Sequence, residues 1–280
     1  MDPILLCTDL DRTLLPNGLQ PESPGARELF SKLAAAPFVS LAYVSGRNLK
    51  LLAEAISSYN LPTPDFMIGD VGTTIYSNNN NGWEAVGEWQ QLIAEDWQDV
   101  TAADLEAMLA DIKELTLQEP EKQGPFKLSY FTPPDIDPEK LVAKVSRRLA
   151  NCPARVSLIH SIDEVNNLGL FDLLPEGATK LHAVRFLIEK SGVLPTRTIY
   201  AGDSGNDMEV FRSEIKSILV ANTAPEVQRM AMATSPTEST HLARGGFLGM
   251  NGNYAAGILE GLTHYLPETI PLFAQIAEKD

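Results

Sequence analysis

The chain has 280 residues, of which 44% are apolar and 21% are charged, and its formal net charge is −15. This length is enough for a substantial core in one large domain or two modest ones. The acidic balance argues against a broad nucleic-acid-binding face, which needs clustered Lys and Arg, and no apolar run is long enough to predict a membrane-spanning helix.

The two cysteines and the first residues of the chain bear on its compartment. Cys7 and Cys152 are far apart and lack the spacing of a metal site, so we interpret them as thiols in a reducing environment. Met1–Leu6 lacks the basic residues that open a secretory signal. We therefore expect a cytoplasmic protein with no nucleic-acid or membrane partner.

Short apolar runs ending in polar or glycine-rich turns have the length of buried strands. They are Ile4–Thr8, Val39–Val44, Phe66–Ile68, Thr198–Ala201 and Ser217–Val220. Leu49–Tyr59 and Thr179–Ser191 each carry apolar residues on one helical face. Alternating strands and helices predict an α/β fold, with a parallel sheet covered by helices on both faces.

The middle of the chain has a different pattern. It begins at Asn78–Gly82, which we interpret as a turn or junction. Helices and strands then follow in the order helix, helix, strand, helix, strand, strand. Their predicted ranges are Trp89–Trp97, Ala102–Leu115, Phe126–Phe131, Glu139–Ala150, Arg155–Ile159 and Leu170–Leu174. This order predicts a small α+β unit at 81–176, inserted between the two parts of a larger domain at 1–80 and 177–280.

Two carboxylates, Asp9 and Asp11, directly follow the first predicted strand. Ligands of open α/β sheets bind outside the carboxyl ends of the strands, so a catalytic group is expected here. Taken alone, the pair has an equally good explanation, because Asp also favours the turns that end strands.

Polar groups follow the second strand as well. Ser45, Gly46 and Arg47 supply a hydroxyl, a small residue and a cation at the same sheet edge. A helix that begins near Asn48 would point its backbone N–H groups at an anion bound there. Ser-Gly is also an ordinary turn signal.

Two further groups complete the pattern. Lys180 opens a helix, where the helix dipole disfavours a cation and prefers acids. The turn Gly202–Asp207 after Thr198–Ala201 brings Asp203, Asn206 and Asp207 to the position where a hard cation would need ligands. Alternatively, Lys180 is a surface residue and Asn206 or Asp207 caps a helix.

The four segments in this order resemble the haloacid dehalogenase (HAD) superfamily, in its Asp-x-Asp nucleophile group. The chain is most similar to the sucrose-phosphate phosphatase family, also in four further segments. These are Gly69–Tyr76, Lys127–Tyr130, Asp172–Pro175 and Asn253–Glu260. The resemblance implies a Rossmann-like doubly wound parallel core with an inserted α+β cap of type C2. Thr179-Lys180-Leu181-His182 departs from the Lys-Gly pair common at the third segment, although the lysine itself is present.

The resemblance also implies a mechanism. Asp9 would attack phosphorus and form an aspartyl-phosphate, while Asp11 would move protons. Ser45 and Lys180 would bind the phosphate oxygens. A Mg²⁺ ion would be held by Asp9, Asp203 and the backbone carbonyl of Asp11. Asp207 would serve as an anchor or further ligand, with Asn206 nearby.

The inserted unit would read the sugar. Lys127, Ser129 and Tyr130 are the leading sugar contacts, together with Gly46, Arg47 and Asn206 beside the phosphate. Asp172 is a further candidate, and Arg47 has the alternative role of a structural ion-pair partner.

Sucrose 6-phosphate is the expected substrate, with mannosylglycerate, glucosylglycerol or trehalose phosphates as alternatives. The other functional classes are a phosphosugar mutase and a non-catalytic module that binds a partner enzyme. A glycosyltransferase such as sucrose-phosphate synthase is the expected partner protein.

Overall fold

The computed structural model describes residues 1–79, 82–163 and 166–277, with the backbone alone given for 274–277. The strands of this part of the chain form two sheets. In chain order the strands are β1 (Ile4–Thr8), β2 (Val39–Val44), β3 (Phe66–Gly69), β4 (Thr74–Asn79), β5 (Gly82–Ala85), β6 (Thr116–Leu117), β7 (Leu128–Thr132), β8 (Val156–Asp163), β9 (Leu168–Pro175), β10 (Thr198–Gly202), β11 (Lys216–Leu219) and β12 (Thr240–Leu242). The α-helices are α1 (Ala26–Ala34), α2 (Leu49–Ser58), α3 (Gly87–Trp97), α4 (Ala102–Leu109), α5 (Pro138–Leu149), α6 (Lys180–Ser191), α7 (Met208–Phe211), α8 (Pro225–Thr234), α9 (Ala255–Tyr265) and α10 (Ile270–Ala277).

The larger sheet has eight strands in the order β12-β11-β10-β1-β2-β3-β4-β5. The strands from β12 to β3 are parallel, and β4 and β5 add an antiparallel hairpin at one edge. β1 lies between β2 and β10, and all of its residues are buried. Burial on both faces explains why Ile4–Thr8 is a continuous apolar run without polar alternation.

Helices cover both faces of the larger sheet. One apolar cluster packs α1, α2, α9 and α10 on the first face, and another packs α3, α6, α7 and α8 on the second. The predicted α/β fold with a doubly wound, largely parallel sheet is confirmed. The five predicted core strands and the two predicted helices also agree with the observed bounds to within about one residue at each end.

The junction predicted at Asn78–Gly82 is part of a β-hairpin. β4 ends at Asn79 and β5 begins at Gly82, while residues 80 and 81, where the domain boundary is predicted, lie outside the described residues. Because β5 pairs with β4 in the larger sheet, the chain leaves that sheet after Ala85.

The inserted segment forms the second sheet, which is antiparallel in the order β6-β7-β9-β8. α4, α5 and the end of α3 cover one face of it around an apolar cluster that contains Trp97, Tyr130 and Phe171. The alternation of side chains along β7 and β9 leaves Ser129 and Asp172 on the opposite face. The inserted segment is therefore a two-layer α+β unit with a polar sheet face.

That unit lies against the carboxyl ends of the strands of the larger sheet. A Cβ on Gly205, in the turn after β10, would lie 3.1 Å from the carbonyl oxygen of His160 in β8. On the other side, the Asn48 side chain donates to the carbonyl oxygen of Glu121 at 2.8 Å. The inserted unit thus touches the larger domain beside both the β10 and β2 turns.

Hydrogen bonds hold both the chain that enters the inserted segment and the chain that returns from it. Trp89 Nε1 donates to the carbonyl oxygen of Gly72 at 3.0 Å, and the Gly177 N–H donates to Asp96 Oδ2 at 2.5 Å. A Cβ on Gly72, whose φ is +114°, would lie 2.5 Å from the carbonyl carbon of Thr179. A glycine is therefore needed where the first connection packs on the start of α6.

Among the described helices, none combines the length and the apolar character needed to cross a membrane.

The close approach of α9 to the sheet provides a test of the packing. A Cβ on Gly257 would lie 2.2 Å from the carbonyl oxygen of Gly252, which is backbone and cannot rotate away. We expect Gly257→Ala to lower the free energy of unfolding by about 1–3 kcal/mol in urea titrations. Gly87→Ala at the start of α3 is the matched control, since a Cβ there meets nothing within 4 Å. An equal effect of both substitutions would contradict this packing.

Candidate active site

The side chains predicted to carry chemistry lie at the carboxyl ends of three neighbouring strands. Asp9 follows β1, Ser45 follows β2 and Asp203 follows β10, while Lys180 is the first residue of α6. β1 lies where the strand order reverses, with β2 on one side and β10 on the other. Such a reversal leaves a crevice at the strand ends, so the topology brings these residues to a natural ligand site.

Lys180 is at the centre of the site and is almost completely buried. Its Nζ donates to Asp9 Oδ2 at 2.8 Å, to Asp207 Oδ1 at 2.7 Å and to Asn206 Oδ1 at 2.7 Å. Burial disfavours the charged ammonium, but Asp207 and Asp9 outweigh it and raise the pKa of Lys180 above its usual value. Lys180 is therefore a fixed positive charge between two carboxylates.

Asp9 is buried and uses both of its oxygens. Oδ1 accepts the Leu10 N–H at 2.6 Å, and Oδ2 accepts Lys180. Burial, with smaller contributions from the charges of Asp207 and Asp11, raises the pKa of Asp9 to about 7 although Lys180 acts to lower it. Without a further cation, the Asp9 carboxylate is thus held near the edge of protonation at neutral pH.

Asp207 is fully buried and is anchored, in the part of the chain that the structure describes, by five donors, of which the Ser204 hydroxyl at 3.4 Å from Oδ2 is the most distant. Oδ1 accepts from Lys180 and from the Tyr200 hydroxyl at 2.5 Å, while Oδ2 accepts the N–H groups of Asp203 at 3.1 Å and Ser204 at 3.0 Å. A Cβ on Gly202 would lie 2.6 Å from Asp207 Oδ2, so a glycine is needed for this fold-back. Asp207 therefore acts first as a structural anchor of the loop.

One oxygen of Asp203 accepts no hydrogen bond from a described residue and has only a longer ion pair. Its Oδ1 accepts the Thr13 hydroxyl at 3.1 Å, whereas its buried Oδ2 has no hydrogen-bond partner among the described residues and lies 3.5 Å from Arg12 Nε. Burial and the charges of Asp9 and Asp207 raise the pKa of Asp203 well above its usual value. A buried carboxylate with an unused lone pair is suited to hold a cation.

Of the four residues predicted to bind metal, the structure brings three side chains together. Asp9, Asp203 and Asp207 each offer an oxygen, and these atoms lie within 4.8 Å of one another. This all-oxygen donor set fits a hard divalent cation such as Mg²⁺. The Asp11 side chain is not in the cluster, and the contribution of its backbone carbonyl stays a prediction.

The Asp11 side chain is instead paired with Arg47. Arg47 Nη2 and Nε donate to its two oxygens at 2.6 and 2.8 Å, and Asn17 Nδ2 donates to Oδ1 at 2.7 Å. Burial acts to raise the pKa of Asp11, but the bonds and charge of Arg47 and the bond from Asn17 outweigh it and lower the pKa. Arg47 thus has the ion-pair role weighed as its alternative, with its guanidinium at the edge of the site.

Ser45 and Gly46 lie in the turn after β2, and Asn206 lies in the turn after β10. Ser45 Oγ accepts the Arg47 N–H at 3.2 Å, and Ser45 is buried, whereas Gly46 is exposed. Asn206 accepts from Lys180 and from the Ser204 hydroxyl at 3.0 Å. Asn48 caps α2 by accepting the Leu51 N–H at 3.0 Å, so that helix starts beside Ser45 as predicted.

The residues predicted to contact the sugar fall on two faces of the smaller sheet. Ser129 donates to Asp172 in a short hydrogen bond, and Lys127 Nζ donates to the carbonyl oxygen of Lys122 at 2.6 Å. Burial raises the pKa of Asp70, although the nearby charge of Lys127 acts to lower it, so Lys127 lies close to the larger domain. Tyr130 is not with them, because its ring is buried in the apolar cluster under the helices.

Several residues of the site were not predicted from the sequence. Thr13 and Arg12 touch Asp203, Tyr200 donates to Asp207, and Asn17 supports Asp11. Arg12 and Thr13 stand inside the Asp9–Thr13 segment and could have been inferred from it. Tyr200 belongs to a buried strand and carries no local signal.

A cleft of about 580 Å³ lies elsewhere, at the start of α1. It is lined by Glu22, Ser23, Pro24, Gly25, Arg27, Glu28, Ser31, Lys32, Tyr59 and Asn60, none of which is a predicted site residue. The candidate active site is at the strand ends, because the converging carboxylates and the buried lysine are there.

The model of the sucrose-6F-phosphate phosphohydrolase family matches residues 2–266. The chain belongs to this family of phosphoric monoester hydrolases. It is 51% identical over 269 residues to a Nitrosococcus oceani protein named only for its likeness to HAD hydrolases, covering 95% of this chain and 72% of that protein. It is 30% identical over 285 residues to sucrose-phosphatase 1 of Nicotiana tabacum, covering 96% of this chain but only 61% of the tobacco protein.

A solved structure gives the same result for the fold. The sucrose-phosphatase of Synechocystis sp. PCC6803, determined in complex with sucrose and phosphate, superimposes with a TM-score of 0.79 at 26% identity. The match covers 95% of this chain and 98% of that one. The whole fold, including the inserted unit, is therefore that of a HAD phosphatase, as the sequence resemblance predicts.

The raised pKa values of the acid cluster predict how metal-free stability depends on pH. Asp9 and Asp203 bind protons more tightly in the folded protein than at their usual pKa of 3.8, so this stabilisation is present below about pH 4 and is lost as pH rises through the folded pKa of each group, which is about 7 for Asp9 and well above the usual value for Asp203. We expect Asp203→Asn, which cannot ionise, to become more heat-stable relative to the native protein across that range in EDTA.

Thermal midpoints measured from pH 4 to 8 provide the check. Asp99→Asn, at an exposed position, is the matched control and should follow the native curve. Added Mg²⁺ at pH 7.5 should raise the midpoint of the native protein more than that of Asp203→Asn. If the thermal midpoints of the native protein and of Asp203→Asn changed in parallel with pH, the raised pKa of Asp203 would be contradicted.

Proposed function

We propose that the protein is a Mg²⁺-dependent phosphatase that hydrolyses a sugar phosphate through an aspartyl-phosphate on Asp9, with sucrose 6-phosphate as the substrate. The observation that carries this is the buried cluster of Lys180 with Asp9, Asp203 and Asp207 at the carboxyl end of β1. Membership of the phosphohydrolase family supports the reaction class.

The charges of the cluster favour a dication. When all three carboxylates are ionised, Lys180 neutralises one of them and two negative charges remain. Asp9 and Oδ2 of Asp203 would hold Mg²⁺, together with the carbonyl of Asp11, while Asp207 fixes the loop. Bound there, the ion would favour ionised Asp9 and screen its repulsion from the phosphate.

In the first step an oxygen of Asp9 attacks phosphorus, and the bond from phosphorus to the sugar oxygen breaks. A protonated Asp11 gives its proton to that oxygen, which leaves as the sugar hydroxyl. For this role Asp11 has to part from Arg47, since the pair favours the ionised carboxylate. The phosphate dianion offers Arg47 an alternative partner, and its negative charge would raise the pKa of Asp11.

In the second step water attacks the same phosphorus, and the bond to Asp9 breaks. Asp11, now ionised, takes the proton from that water, so both carboxylates return to their starting states. Ser45, Lys180 and Asn206 would hold the phosphate oxygens in both steps, with Lys180 exchanging one of its three present bonds for a phosphate oxygen and the α2 N–H groups behind them.

Substrate choice would fall to the inserted unit, whose polar sheet face is directed toward the larger domain. Ser129 and Asp172 offer a hydroxyl and a carboxylate for sugar hydroxyls, and Lys127 adds a cation. The Synechocystis structure with sucrose and phosphate supports a disaccharide in this cleft. Mannosylglycerate, glucosylglycerol and trehalose phosphates are the alternatives, and association with a glycosyltransferase stays a prediction.

Substitution of the nucleophile tests the chemistry. We expect Asp9→Asn to lower phosphate release from sucrose 6-phosphate by about 10⁴-fold or more, because the amide cannot form the acyl phosphate. Asp99→Asn is the matched control and should keep native rates. Equal turnover in EDTA and in Mg²⁺ would contradict the metal, and retained turnover in Asp9→Asn would contradict the nucleophile. Transfer of phosphate between sugar positions without release would identify a mutase.

A second substitution tests the sugar contact. We expect Ser129→Ala to raise KM for sucrose 6-phosphate by about tenfold through loss of a hydrogen bond, and to change KM for p-nitrophenyl phosphate much less. Tyr130→Phe should leave both values near native, because that hydroxyl lies on the helix-covered face. If sucrose 6-phosphate were hydrolysed no faster than other disaccharide phosphates or p-nitrophenyl phosphate, the substrate assignment would fail.

A further inference from the structure

Arg12, between Asp11 and Thr13, has a strained backbone. Its φ is +61°, in the left-handed region that residues with a Cβ disfavour. Two side chains hold it there. Asn17 Oδ1 accepts the Arg12 N–H at 2.8 Å, and Asn222 Nδ2 donates to the Arg12 carbonyl oxygen at 2.6 Å.

Asn222 is buried in the loop after β11 and uses both ends of its amide. While Nδ2 binds Arg12, Oδ1 accepts the N–H of Tyr254 at 2.9 Å. Tyr254 is itself left-handed, with φ +50°, and opens α9. One side chain thus bridges two strained residues that are far apart in the sequence.

The segment around Tyr254 is itself firmly anchored. The Gly252 carbonyl accepts the Ala221 N–H at 2.9 Å, and Asn253 Nδ2 donates to the carbonyl oxygen of Pro21 at 3.0 Å. The Tyr254 hydroxyl donates to the carbonyl oxygen of Gln20 at 3.0 Å. Asn222 therefore ties Arg12 to a rigid part of the fold.

The orientation of Arg12 sets the direction of the Asp11 carbonyl. In a planar trans peptide the C=O of one residue and the N–H of the next point in opposite directions. The bond from the Arg12 N–H to Asn17 therefore also fixes the Asp11 C=O, and Asn222 prevents the Arg12 backbone from relaxing to a negative φ. The same turn keeps Arg12 Nε 3.5 Å from Oδ2 of Asp203.

We propose that Asn222 is a positioning residue of the metal site, which holds Arg12 in its left-handed conformation and so directs the Asp11 carbonyl toward the cation. This rests on the proposed function, in which that carbonyl is a Mg²⁺ ligand. Asn222 does not touch the cation, so its effect reaches the site through the backbone of residues 11 and 12.

The test compares Asn222→Asp with Asn253→Asp. Both replace a buried amide that donates to a backbone carbonyl, but only Asn222 bonds residue 12. The Mg²⁺ dissociation constant is measured by calorimetric titration of the metal-free protein. We expect Asn222→Asp to raise this constant by about tenfold or more, and Asn253→Asp to leave it within about twofold of the native value. If Asn222→Asp does not fold, Asn222→Ser, which is too short to reach both partners, replaces it.

A second background separates this role from general destabilisation. Glycine adopts φ +61° freely, so an Arg12→Gly protein needs Asn222 less. The fold-increase in the Mg²⁺ dissociation constant caused by Asn222→Asp should therefore be about threefold smaller, or smaller still, in the Arg12→Gly protein than in the native background. Equal losses of Mg²⁺ affinity in the two backgrounds would overturn the role of Asn222 but not the proposed function. The same holds if Asn222→Asp and the native protein bind Mg²⁺ equally well. A native protein that neither binds Mg²⁺ nor releases phosphate would overturn the proposed function as well.

Discussion

The site depends on the ion pairs between the buried ammonium group of Lys180 and the carboxylates of Asp9 and Asp207. Asp9 and Asp207 are both removed from water, and two ionised carboxylates so close together would repel strongly in a medium of low dielectric. Lys180 neutralises one of these charges, and its ammonium group donates all three of its protons in hydrogen bonds. Its position at the start of α6 is disfavoured by the helix dipole, and the acids compensate for that.

Two acids two residues apart in the same loop experience opposite surroundings. The pKa of Asp9 is raised chiefly by burial, and that of Asp11 is lowered because Arg47 and Asn17 outweigh its burial. The proposed reaction needs the reverse order, with Asp9 ionised and Asp11 protonated. A cation beside Asp9 and a phosphate that engages Arg47 would each push in that direction, so under the proposed mechanism the ligands would bring the two carboxylates to the protonation states that the reaction needs.

The sequence predicted the parts of the site that depend on strand ends. Asp9, Ser45 and Asp203 follow buried apolar runs, and parallel strands bring such positions to one edge whatever the details of packing. Contacts between distant segments were not predictable. The Asp11–Arg47 pair, the bridge from Asn222 to Arg12 and the face that Tyr130 occupies depend on three-dimensional distances and strand register. A run of asparagines likewise suggested a turn but not the hairpin that extends the sheet.

The two ends of the inserted segment are held side by side. Trp89 donates a hydrogen bond to Gly72 in the outgoing chain, and Asp96 accepts one from Gly177 in the returning chain. Gly72 also packs directly on Thr179. The entropy of closing a loop between fixed ends grows only slowly with the length of the loop. The stretch between them can consequently be lengthened, shortened or exchanged at little cost to the folding of the catalytic domain. One contiguous piece of coding sequence could thus be replaced to give the same hydrolytic apparatus a new substrate.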